Sequence, residues 1–71
     1  MNNEITARLE NWHAYFGQTL AGEIYDDVRN RWEDGTFIHT SYIEDNEYNK
    51  AEEGVVIHTM NSVYLLGKKQ K

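Results

Sequence analysis

The chain has neither cysteine nor proline. Without cysteine there are no disulfides, thiolate zinc sites or cysteine nucleophiles, and the composition fits a reducing interior. Without proline, no strand is barred from a central place in a sheet. Long apolar runs are also missing, and the Asn-Glu start lacks a basic region followed by a hydrophobic stretch, so the expectation is a soluble, cytoplasmic protein with no membrane partner. Positive charge is scarce: 7 Lys and Arg stand against 12 Asp and Glu, a formal net charge of −5. A nucleic-acid binder gathers cations on one face, whereas this balance favours a basic partner, such as a nucleic-acid-binding protein surface. No grouping of nucleophile, base and oxyanion donors and no phosphate-cradling glycine loop is visible, so neither enzymatic activity nor a cofactor is expected.

With 71 residues the chain makes a single domain, 1–71, near the lower size for a self-sufficient core. Two Trp, five Tyr and two Phe supply large buried areas per residue. Homodimerisation could add stability.

What stands out is a near-repeat. Trp32-Glu-Asp-Gly-Thr-Phe-Ile-His-Thr40 is echoed by Ala51-Glu-Glu-Gly-Val-Val-Ile-His-Thr59. Each copy reads as an acidic turn feeding a strand, with Ile38 and Thr40 on one face and Phe37 and His39 on the other. The motif is architectural first.

Along the chain, Ile5, Leu9, Trp12 and Phe16 recur at helical spacing, with Asn2 or Asn3 as cap and Gly17 as terminator, which predicts an amphipathic helix over about 4–16. Strands are expected at about 22–32, 36–43, 55–59 and 62–66. The Asp34-Gly35 pair reads as a type I′ turn placing Trp32 opposite Phe37, and Met60-Asn61 as a second tight turn. The expected architecture is α+β: an N-terminal helix packed on a four-stranded antiparallel sheet or a small, partly closed barrel. The segment 44–54 reads as a mobile acidic loop and 68–71 as a basic tail.

His39 and His58 hold equivalent places in the two copies and could converge with His13 or Asp26 on a metal. The spacing promises no further ligand, so no metal site is assigned. His39 and Ser41 would share a strand face roughly 7 Å apart, without an orienting acid. For partner binding, Glu44, Asp45, Glu47, Glu52 and Glu53 are the candidate steering charges, with Tyr42 and Tyr48 as aromatic anchors. The alternative is a single-stranded nucleic-acid face made by Tyr25, Arg29, Arg31 and Tyr42, where bases stack on rings and guanidinium groups meet phosphates.

Gly22, Ile24, Tyr25 and Asp26, then Arg31-x-x-Asp-Gly-Thr-x-Ile-x-Thr-Ser41, then Val56-x-x-Thr-x-Asn-Ser-x-Tyr-x-Leu-Gly67 together resemble short phage- and prophage-encoded proteins of unknown function. The likeness covers about two-thirds of the chain and leaves out its N-terminal segment. It implies a phage accessory protein acting in the bacterial host cytoplasm, an anti-CRISPR or similar inhibitor of host defence, and transfers no active-site residues. The combined expectation is a small non-enzymatic protein that binds and inhibits a host protein through an acidic surface.

Overall fold

The computed structural model describes residues 5–70. It contains β1 (Ala7–Tyr15), β2 (Thr19–Tyr25), β3 (Thr36–His39), the short helix α1 (Asp45–Tyr48), β4 (Val56–His58) and β5 (Val63–Leu66). The strands form one mixed sheet in the order β3-β2-β1-β5-β4. The meander β1-β2-β3 and the β4-β5 hairpin are antiparallel, and β1 joins β5 in parallel.

This overturns the helix expected over about 4–16 and with it the helix-on-sheet arrangement. Glu4 and the capping asparagines lie outside the described residues. Ala7 and Leu9 point inward at strand spacing. A register shift between Glu10 and His13, with Asn11 at φ 50°, then resets the phase so that Trp12 also points inward. A β-bulge therefore produces the three-residue step from Leu9 to Trp12 that mimics a helical stripe. The outer members of that stripe are not buried, Phe16 being 84% exposed. Gly17 does adopt a left-handed conformation, φ 72°, but together with Gln18 at φ 60° it turns the β1-β2 hairpin. Hairpin turns and helix ends both call for positive φ, so glycine alone does not tell them apart.

The expected strand 22–32 also needs correction. β2 stops at Tyr25, where Asp26 takes φ 56°, and the chain makes a compact loop to Gly35. Phe37 pairs with Glu23, not with Trp32. Within the loop the buried Asp27 carboxylate accepts the backbone N–H of Arg29 at 3.1 Å and of Arg31 at 2.9 Å, and meets the Arg31 guanidinium through Nε and Nη2. Burial works to raise the Asp27 pKa, but these bonds outweigh it and hold the carboxyl below its usual value. The shorter expected strands are found close to their places, β4 at Val56–His58 and β5 at Val63–Leu66, joined through Met60 and Asn61.

The two copies of the repeat do the same local work at opposite edges of the sheet. Gly35 and Gly54 take φ 90° and 85°. Ile38 and Ile57 enter the core, while His39 and His58 face out. The threonine hydroxyls close the local backbone: Thr40 Oγ1 accepts Leu20 N–H, and Thr59 Oγ1 accepts the N–H groups of Asn61 and Ser62.

The core joins Leu9, Trp12, Leu20, Ile24, Ile38, Ile43, Ile57, Tyr64 and Leu66. Trp12 sits at its centre of connection, donating Nε1–H to Gly67 O at 2.9 Å. The chain beyond β5 continues along β1, with Trp12 N–H bonded to Lys68 O, Gln70 N–H to Trp12 O, and the Lys69 ammonium over the indole. Lys68 and Lys69 thus lie along the sheet, and Lys71 is outside the described residues. Gly22 is required where β2 crosses the bulge, because a Cβ there would stand 2.8 Å from Glu10 O.

The bulge makes a specific prediction. Asn11→Gly, which relieves a left-handed residue of its Cβ, is expected to leave the thermal midpoint unchanged or raised, whereas Asn11→Val is expected to cost about 1–2 kcal/mol. Equal effects of the two replacements in thermal or denaturant unfolding would contradict the bulge.

Candidate partner-binding groove

The segment following β3 covers the open end of the core. Ile43 is buried, its N–H bonded to Gln18 O at 3.1 Å. The Gln18 side chain reaches the same segment, donating Nε2–H to Ile43 O at 2.7 Å and to Asp45 Oδ1 at 2.8 Å, with the Tyr42 hydroxyl at 3.4 Å. One hairpin-turn residue, held in a left-handed conformation, thereby fixes the entry to α1. Glu44 sits at the N-cap position with extended backbone, and its side chain makes no capping bond. Its carbonyl accepts Tyr48 N–H at 2.8 Å, and Tyr48 packs against the core with Ala51 and Val55.

The segment 44–54, expected to be a mobile loop, is therefore a packed element. Its acids divide into two groups. Glu47 Oε1 accepts the backbone N–H of His58 at 2.9 Å and lies 3.3 Å from His58 Nδ1, while Oε2 meets the Lys50 ammonium at 2.9 Å. Glu53 accepts Lys69 N–H at 2.9 Å, and Asp45 is held by Gln18. Glu44 and Glu52 are exposed, with no side-chain hydrogen bond or ion pair among the described residues. The sequence sets these five carboxylates side by side as equals, but the structure commits three of them to holding the fold.

Where α1 approaches β4, a groove of about 270 Å³ is lined by Tyr42, Glu44, Glu47, His58, Thr59 and Met60. Tyr42 is 47% exposed and Met60 75%. Tyr42, Glu44 and Glu47 are brought together here. Tyr48 turns to the core, and Glu52 and Glu53 do not line the groove. Met60 and His58, outside the set of partner-binding residues that the sequence suggests, also line the groove. The turn prediction at Met60-Asn61 was the available signal, since a large thioether at a tight turn is left exposed unless something covers it.

The groove offers carboxylates beside an aromatic ring and a thioether. This combination suits a lysine or arginine side chain: its charge meets the acids and its methylene stem or guanidinium plane lies on the ring. A more open hollow of about 620 Å³ lies on the 26–34 loop. Its charges are largely satisfied within the chain: Asp27 by Arg31, Asp26 by Arg8 at 2.6 Å, and Asp34 by Asp26 N–H at 2.8 Å.

The alternative set of Tyr25, Arg29, Arg31 and Tyr42 is dispersed. Tyr25 lies under the Arg8 guanidinium on the outer sheet face. Arg31 is engaged by Asp27 and lies over the Trp32 ring, and Arg29 donates to Asn61 O at 2.9 Å. Tyr42 stands at the groove. His39 and His58 occupy opposite edges of the sheet: His39 stacks on Tyr15 at 4.2 Å, and His58 meets Glu47. Ser41 accepts from Asn61 Nδ2 and not from His39. No group of three His, Cys, Asp or Glu placed to hold a metal occurs among the described residues, and none of their helices is long and apolar enough to cross a membrane.

The His58 N–H and the Lys50 ammonium hold the Glu47 carboxyl at about 2, well below its usual value. Because this pKa is lowered on folding, its stabilisation is fully present above the unfolded value and is lost as pH falls from about 5 towards 2. Glu47→Gln is expected to remove on the order of 2 kcal/mol at neutral pH and to flatten the acid limb of the stability profile. Parallel profiles for the two proteins in denaturant unfolding would contradict this role. Comparison with family models, curated proteins and solved structures gave no match to this chain.

Proposed function

We propose that this chain is a small, non-enzymatic protein-binding accessory whose acidic, aromatic groove takes a basic segment of a host protein and blocks that protein's own nucleic-acid or partner site. The observation that carries the reading is the convergence of Tyr42, Glu44, Glu47 and Met60 around one groove, with Glu44 uncommitted to the fold. The net charge of −5 steers a basic partner towards it, an effect on encounter rate that salt screens. Tyr42 is the anchoring ring and Glu44 the principal recognition charge. Asp45 and Glu52 add to the local field.

The partner class we name is a nucleic-acid-binding component of an antiviral nuclease complex in the bacterial cytoplasm. Support for that class comes from the resemblance of the turn and strand residues to phage-encoded accessory proteins. Most of those residues serve the fold here, so the resemblance supports an origin for the scaffold, while the groove supports the chemistry of recognition.

The test is affinity capture from bacterial lysate at low and high salt, run in parallel with the double variant Glu44→Lys, Tyr42→Ala. A basic protein retained at low salt, released as salt rises and weakened at least about tenfold by the double variant is the expected result. Retention unaffected by the variant would remove the groove model. Retention of nuclease-sensitive nucleic acid would favour the arginine-based alternative.

A further inference from the structure

The outer edge of β3 is unpaired. Thr40 N–H donates to Leu20 O at 2.8 Å, and antiparallel bonding alternates, so Ile38 and Thr40 bond towards β2, while at the head of the strand Gly35 N–H reaches Ile24 O at 2.7 Å and Thr36 N–H turns to Glu33 O at 3.1 Å. The N–H and C=O groups of Phe37 and His39 therefore point away from the sheet, and they have no other hydrogen-bond partner among the described residues. Edges of this kind are ordinarily guarded by lysine, proline, a bulge or a covering loop. The β3 sequence Thr36-Phe-Ile-His39 has no lysine or proline, and its pairing with β2 is regular.

The rings above this edge are exposed as well. Phe37 is 57% exposed and stands 5.6 Å from His39 edge to face, His39 stacks on Tyr15, and Phe37 stacks on His13 at 6.3 Å. Ala21, the cross-strand neighbour of both His13 and His39, keeps the floor beneath these rings low.

We propose that β3 is a self-association edge, two copies of the chain pairing antiparallel through Phe37 and His39 about a twofold axis at Ile38. The outward backbone groups lie two residues apart, so pairing centred on Ile38 sets each copy's Phe37 opposite the other's His39, with donor facing acceptor at both places. The same register places phenyl beside imidazole across the junction, the ring pairing already present within each chain. It also matches charge. Glu33 and Asp34 at one end of the edge come opposite the second copy's Ser41 end. There Asn61 bonds Ser41 Oγ, and Arg29, in no ion pair among the described residues, donates to Asn61 O. Arg8, which lies over the Tyr25 ring, is held by Glu10 and Asp26 and is not free to pair with a phosphate. Phe37 and His39 do not line the Glu44 and Met60 groove, so this inference does not rest on the proposed function.

Sedimentation across micromolar to millimolar protein, combined with amide-resolved hydrogen exchange, tests the proposal. The expected result is a concentration-dependent dimer in which the Phe37 and His39 amides slow by at least about tenfold while the Ile38 amide, bonded to β2, is protected at every concentration. Phe37→Lys is expected to leave a folded monomer by circular dichroism. Glu33→Arg should weaken the dimer, and adding Arg29→Glu should restore it. Monomer at all concentrations would overturn the proposal, as would a dimer in which the Phe37 and His39 amides exchange at the monomer rate. Because the exchange measurement uses the unmodified chain, it decides even if a variant fails to fold.

Discussion

The left-handed conformation of Asn11 is the constraint on which the remaining architecture rests. By adding one residue to β1 it lets Leu9 and Trp12 face the same side of the sheet, and Trp12 is where the two halves of the chain meet. On one side β1 pairs with β2. On the other it carries β5 and the segment from Gly67 to Gln70, bonded through both the backbone and the indole of Trp12. The Glu10 carboxylate secures the same junction, accepting Lys68 N–H at 2.7 Å and Arg8 Nε at 2.8 Å. In a chain without disulfides, this central strand does what cross-links do in other small domains.

The groove follows from that frame. The β1-β2 hairpin ends in Gln18, whose backbone and side chain fix Ile43 and Asp45, and Ile43 closes the core below α1. On the far side, Glu47 clasps the end of β4 through the His58 N–H. The two contacts hold Tyr42 and Glu44 on one wall and His58 and Met60 on the other, so in the proposed role the groove is in place before a partner arrives. Asp45, Glu47 and Glu53 are engaged in holding the fold, and the proposed role assigns recognition to Glu44, which is not.

The legible parts of the sequence were those governed by local rules. Strand positions near 56–58 and 63–66, the turn at Met60-Asn61 and the placing of Ile38 and His39 on opposite faces follow from alternation and turn chemistry, while which face turns inward is settled by the structure. The N-terminal strand was hidden because a bulge converts strand spacing into helical spacing, and because Gly17 satisfies a helix end and a hairpin turn alike. The loop after Tyr25 was hidden by Asp27 and Arg31, which read as alternating surface charges but form a buried fork. In the candidate site, Tyr42, Glu44 and Glu47 were visible as residue types. Their convergence depends on Gln18, far away in sequence, and no local pattern announces such a contact.

The most direct test of the account is an NMR titration of isotope-labelled protein with a short arginine- and lysine-rich peptide at low salt. Shifted amides are expected to cluster at 42–47 and 58–60, with the Tyr42 ring and Met60 methyl signals moving with them and the 26–35 loop unaffected. Shifts centred on that loop, or none as the peptide reaches millimolar concentration, would contradict it.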